Sequence, residues 1–139
     1  MLRLPAHLQA QIVAHCLAGL PDEACGLLAA RPGEDLVERC YPTANAAASA
    51  KLYTVDPRDH LRADRDAEGA GLEIVGVFHS HTHTDAYPSP TDVAQAPDPS
   101  WHYVIVSLRQ ALPALRSYRI VDGTVAEEPV EPVPRPGPR

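Results

Sequence analysis

Two histidines one residue apart, His79 and His81, stand at the end of an apolar run, and Ser89 and Asp92 follow within eleven residues of His81. In an extended strand alternate side chains share a face, so the two imidazoles point the same way and can grip one cation. A catalytic zinc site needs about three nitrogen or oxygen ligands and one position left to water. His79, His81 and Asp92 supply that set. His83 is next in the alternating series and competes with Asp92 for the third place, unless the chain turns after His81. Each piece also has an ordinary reading. Ser89-Pro90-Thr91-Asp92 is a helix-capping sequence, with proline at the first helical position and an acid three residues after the serine. His-x-His alone fits a polar strand end, and short motifs have many false positives. The two readings coexist if a short helix begins at Ser89 and holds Asp92 in its first turn.

These residues need a frame. Leu8, Ile12 and Cys16, with Val13 and Leu17, mark one helical face, closed by Gly19 and Pro21. Cys25 to Ala30 and Leu36 to Tyr41 read as strands joined through Arg31-Pro32-Gly33-Glu34-Asp35. Asp56-Pro57 starts a second helix running to about Glu68. Leu72 to His79 and Tyr103 to Leu108 are apolar enough for central strands covered on both faces. Leu115 to Val121 and Thr124 to Glu127 flank Asp122-Gly123, a hairpin turn. The order predicts an α/β fold, a mixed β-sheet flanked by helices. Residues 1–127 form the expected domain. Residues 128–139 carry Pro129, Pro132, Pro134, Pro136 and Pro138 and are expected to be an extended or disordered tail without a hydrogen-bonded ladder. Ala44 to Ala50 is expected to be an irregular crossing.

The 139 residues carry a formal charge of −6 from 12 basic and 18 acidic side chains, which argues against nucleic acid or an anionic membrane as partner. With 45% hydrophobic residues a packed core is within reach. No apolar run approaches the ~18 residues of a membrane span and the start lacks a signal-peptide segment, so a cytoplasmic location is expected. Cys16, Cys25 and Cys40 are odd in number and lack a C-x-x-C pair, which speaks against both a disulfide framework and a cysteine zinc site. Cys25 is conceivable as a nucleophile, although a thiol in a strand is usually structural. His7, His15, His60 and His102 share no ligand spacing and read as surface or strand-edge residues. Tyr87 and Trp101 are candidates for a substrate channel or for ordinary packing.

The run His79-Ser80-His81, seven residues, Ser89, two residues, Asp92 resembles the signature of the JAMM (MPN+) metalloprotease family. Glu23-Ala24-Cys25-Gly26-Leu27-Leu28 resembles that family's upstream Glu-x-Cys-Gly-x-Leu segment, and Ile74 to His81 its strand entering the metal site. The resemblance runs from about Leu8 to Leu108. It implies a JAMM/MPN, cytidine deaminase-like fold, with Zn2+ held by His79, His81 and Asp92, Glu23 as general base and Ser89 steadying the oxyanion. Thr82 stands where many members carry proline. With the segment Asp85-Ala86-Tyr87-Pro88-Ser89, this resembles the small actinobacterial branch that removes cysteine from a ubiquitin-like sulfur-carrier protein in cysteine biosynthesis. The partner so implied is that β-grasp carrier, its Gly-Gly tail read as an added strand. Deconjugation of ubiquitin-like modifiers from lysine and a non-catalytic MPN scaffold are the alternatives, and a homodimer is compatible with the sequence. A zinc deaminase is excluded by the lack of His-x-Glu with Pro-Cys-x-x-Cys.

Overall fold

The computed structural model describes residues 1–134. Its frame is a six-stranded sheet in the order β3-β2-β4-β5-β6-β7, with β1 paired separately to β8. The strands of the main sheet are β2 (Cys25–Ala30), β3 (Val37–Thr43), β4 (Glu73–His81), β5 (His102–Ser107), β6 (Ala114–Val121) and β7 (Thr124–Glu128). β4 and β5 run parallel and the other neighbours antiparallel, so the expected mixed sheet is present with the two strands expected to be central at its middle. Asp122 and Gly123 both have positive φ, as the two-residue β6–β7 turn requires.

Helices cover both faces. α1 (Ala6–Ala18) buries Leu8, Ile12 and Cys16 against Leu28, Phe78, Val104 and Val106. On the opposite face α2 (Pro57–Gly69) lays Ala63 over Leu27, Val77 and Ile105. Consecutive residues of β2, β4 and β5 thus face different cores, which is the alternation a strand imposes. Asp56 caps α2 by accepting from the amides of Arg58 and Asp59. Its apolar face is built mainly of alanine, which lets the helix lie close to the sheet.

Gly26 has a specific reason to be glycine. A Cβ there would stand 2.2 Å from Cε2 of Phe78 and 2.5 Å from the Tyr41 carbonyl oxygen. The Phe78 ring therefore crosses β2 where only a hydrogen fits, immediately before His79 in β4. β4 also runs two residues beyond the strand end expected at His79. Its parallel partner supplies the reason: His81 pairs with Ser107, and its carbonyl accepts from the Leu108 amide at 2.9 Å.

The domain boundary expected at residue 127 needs correction. Glu128 belongs to β7 and is buried, and Val130–Val133 form β8, parallel to β1 (Leu2–Pro5). The Leu2 amide donates to the Pro129 carbonyl at 2.9 Å. Proline lacks a donor but keeps its carbonyl, so it is tolerated in a strand whose outer edge is unpaired. The remainder of the proline-rich segment, 135–139, lies outside the described residues.

His102, expected at a surface or strand edge, is buried at the start of β5 and paired with Glu128. Its Nδ1 donates to Glu128 Oε2 at 2.7 Å, and the Ser117 hydroxyl donates to the same oxygen at 2.7 Å. Burial alone would raise the Glu128 carboxyl, but these donors outweigh it and hold it down at about 2, against an ordinary 4.5. A carboxyl depressed on folding stabilises the fold above its unfolded pKa, and that contribution is lost as pH falls through the folded value. Denaturant melts should therefore show stability falling from about pH 5 towards pH 2, with a shallower fall in Glu128→Gln. Equal slopes in the two proteins would place the acid sensitivity elsewhere.

Candidate metal centre and catalytic cleft

The alternation of β4 brings His79 and His81 to one face, both buried, and α3 (Pro90–Ala94) carries Asp92 to meet them. The three side chains converge. His79 Nε2 lies 3.1 Å from His81 Nε2, and these atoms lie 3.2 and 3.0 Å from Asp92 Oδ2. A tetrahedral ion with bonds of 2.0–2.2 Å sets its donors roughly 3.3 Å apart, so the triangle is the right size for one cation. The donor chemistry also fits. His81 Nδ1 donates to the Asp85 carbonyl at 2.8 Å, which leaves the Nε2 lone pair of the neutral ring facing the centre. His79 stacks on Tyr53, with ring centroids 4.1 Å apart and planes 17° apart.

Charge follows from this packing. Burial holds the His79 imidazole below its ordinary value and hence neutral, the form that ligates. Burial acts the same way on His81, but the Asp92 carboxylate and the Asp85 carbonyl outweigh it and raise the ring. Asp92 is pushed up by burial, yet the two imidazoles and the Ser89 amide hold it well below the usual carboxylate range.

The capping and metal readings of Ser89-Pro90-Thr91-Asp92 hold together in one geometry. Ser89 Oγ accepts from the Asp92 amide at 3.0 Å, and Asp92 Oδ2 accepts from the Ser89 amide at 2.9 Å. That Oδ2 is the same oxygen that faces both histidines. The capping box fixes the carboxylate rotamer that meets them. Because Ser89 Oγ is an acceptor in this box, its own proton is left for another acceptor.

Glu23 reaches the same cleft from the loop before β2. It is buried, and its Oε1 has no hydrogen-bond partner among the described residues. Its main chain is held on both sides: the amide donates to the Ser49 carbonyl at 2.8 Å and the carbonyl accepts from Asn45 Nδ2 at 2.9 Å. The next amide, of Ala24, donates to Ser80 Oγ at 2.9 Å. The serine between the two histidines thus ties the Glu23 loop to β4. Burial is the main cause that pushes the Glu23 carboxyl up, to about 7, with His81 opposing and Asp92 adding to the shift.

Ser80, Asn45 and Tyr53 were not visible as site residues in the sequence. Only the central serine of His-Ser-His gave a signal, as a small polar residue inside a buried strand. Glu23, His81 and Ser89 line a cavity of about 250 Å³ together with Ala50, Lys51 and Thr82. His83 is exposed at its rim and stands outside the converging group. Trp101 and Tyr53 line an apolar groove beside the centre, whereas Tyr87 is exposed and packs edge-on against Tyr118 in a separate depression. The Cys25 thiol is buried against Thr43 Oγ1 at 3.3 Å, and burial raises it, the opposite of an activated nucleophile. Among the described residues no helix is long and apolar enough to cross a membrane.

Comparison with known proteins places this geometry. The family model described as prokaryotic homologs of the JAB domain matches residues 5–121. A CysO-cysteine peptidase of Mycobacterium tuberculosis is 48% identical over 134 residues, covering 96% of this chain and 92% of the relative. A desampylase of Haloferax volcanii is 34% identical over 111 residues, covering 76% of this chain and 80% of the relative. Among solved structures, a protein from Desulfitobacterium hafniense superposes with a TM-score of 0.86 at 38% identity, covering 97% of this chain and 93% of that one. A JAB1/MPN domain protein from Archaeoglobus fulgidus shares the fold at a TM-score of 0.62 and 16% identity, covering 96% of this chain and 97% of that one. With a family model spanning most of its length and a relative nearly half identical over 96% of it, the chain belongs to the prokaryotic homologs of the JAB domain and has the JAMM/MPN fold.

Proposed function

We propose that this chain is a cytoplasmic zinc-dependent peptidase that cleaves the amide after the C-terminal Gly-Gly tail of a small ubiquitin-like sulfur carrier and releases cysteine. The observation that carries this reading is the 48% identity to a CysO-cysteine peptidase over almost the whole of both chains. The cleft supports it with a complete donor set and two further polar groups in place. His79, His81 and Asp92 would hold the zinc. Zinc bound there supplies a Lewis acid and lowers the pKa of water to about 7.

The remaining work falls to the chain. Glu23, buried and without a partner on Oε1, takes the proton of the attacking water and passes it to the departing amine. A carboxyl pushed up towards neutrality can both accept and return a proton. Ser89 directs its free hydroxyl hydrogen at the carbonyl oxygen as charge builds there. Main-chain anchors at Asn45, Ser49 and Ser80 keep the Glu23 loop fixed against β4, so the base is positioned before substrate arrives.

Ser89→Ala should keep the metal and lose about 10²–10³ in turnover, the scale of one oxyanion donor. The lost cap should cost about 1 kcal/mol of stability in addition. Unchanged turnover with a lowered melting temperature would leave Ser89 only its capping role.

Incubation of the purified protein with carrier–cysteine and carrier–lysine adducts, followed by mass spectrometry, tests the function itself. Release of cysteine supports the reading. Cleavage of the lysine adduct alone would favour protein deconjugation, the reading for which the Haloferax volcanii desampylase speaks. A protein that binds both adducts and cuts neither would be a scaffold.

A further inference from the structure

Lys51 is the only lysine of the chain, and it lines the cavity that Glu23, His81 and Ser89 share. It is exposed and has no ion-pair partner among the described residues. The backbone that carries Lys51 is fixed relative to the cleft. The Ser49 carbonyl holds the Glu23 amide, the Ala50 carbonyl accepts from Thr82 Oγ1 at 3.1 Å, and Ser49 Oγ accepts from the Lys51 amide at 3.0 Å. Asn45 Oδ1 accepts from the amides of Ala47 and Thr54, closing the loop on itself. An exposed side chain with no ion-pair partner among the described residues thus rises from a fixed backbone in the lining of a cleft that also holds the Glu23 carboxyl.

A carboxylate entering beside the Glu23 carboxyl is favoured where an opposite charge within about 4–6 Å can meet it. The amine released from a carrier–cysteine adduct bears such a group, its free α-carboxylate. A lysine inside a target protein has its α-carboxyl tied up in a peptide bond. We propose that Lys51 binds the α-carboxylate of the departing amino acid and so makes the cleft selective for adducts that end in a free carboxyl group. This rests on the peptidase reading above. Lysine suits the task because its ammonium is a compact point charge on a flexible stem that can follow the leaving product.

The test compares kcat/KM for carrier–cysteine and for carrier–cysteinamide, in which the carboxylate is replaced by a neutral amide. Wild type should prefer the carboxylate by about tenfold, the scale of one charge-assisted hydrogen bond. Lys51→Met should collapse that ratio to near unity, and Lys51→Arg should keep most of it. A ratio unchanged in Lys51→Met overturns the proposal, even if both rates fall together, because that pattern assigns Lys51 to the carrier surface. If wild type cleaves both adducts equally, the carboxylate is not read and the proposal fails while the peptidase reading stands. If wild type cleaves neither, the peptidase reading fails and the Lys51 assignment with it.

Discussion

Glu23→Gln should leave the fold, the metal and carrier binding in place and lower hydrolysis by at least the ~10²–10⁴ that general acid–base catalysis supplies. The amide is nearly isosteric with the carboxylate, and none of the contacts that place residue 23 involves its side chain. They are made by its own amide and carbonyl and by the following amide. Binding and chemistry therefore separate cleanly in this variant. Metal analysis and mass-spectrometric turnover on one preparation check both halves. The pH profile gives a further sign: the wild-type rate falls as Glu23 gains a proton, at or below pH 7, because a cation beside the carboxyl lowers the value of about 7 set by burial. A glutamine variant within a few-fold of wild type would remove Glu23 from the mechanism. Loss of metal would make it a ligand instead.

Removal of a ligand has the larger effect on occupancy. Asp92→Ala or His81→Ala should take the protein from one zinc per chain to weak or no binding, and activity should vanish with it. Among the described residues no fourth side chain joins the converging group, and His83 is exposed and outside it. His83→Ala is accordingly expected to retain zinc. Metal content after dialysis against a mild chelator distinguishes the three. Zinc held as tightly by Asp92→Ala as by wild type, but lost from His83→Ala, would reverse the assignment.

What the sequence revealed followed the range of the interaction. His79 and His81 are two positions apart on one strand, and Asp92 lies in the first turn of a short helix capped by Ser89, so alternation and capping made their convergence legible, while the choice of Asp92 over His83 leaned on family resemblance. The two helices and the central strands were equally plain from period and breakers. Glu23 was a different case. Its place beside the histidines depends on hydrogen bonds such as Ala24 to Ser80, 56 positions apart, which leave no periodic trace, and only family resemblance pointed to it. The alanine-rich stretch around residues 44–50 looked featureless because its work is done by carbonyls, one asparagine and one serine. β8 was missed because its pairing joins distant strands in parallel and its prolines read as breakers, although at an open edge they break nothing.

Asp92 Oδ2 closes the first turn of α3 and completes the triangle with His79 and His81 with a single atom. On the proposed ligation, helix order and metal occupancy would be two readings of one equilibrium. A five-residue helix has little cooperativity of its own and depends on such outside restraint. Whatever a cation contributes to keeping α3 wound, a wound α3 returns in affinity by the same factor, as reciprocity between linked equilibria demands. On that reading α3, the shortest of the described helices, would be coupled to the chemistry, and its amides should report occupancy.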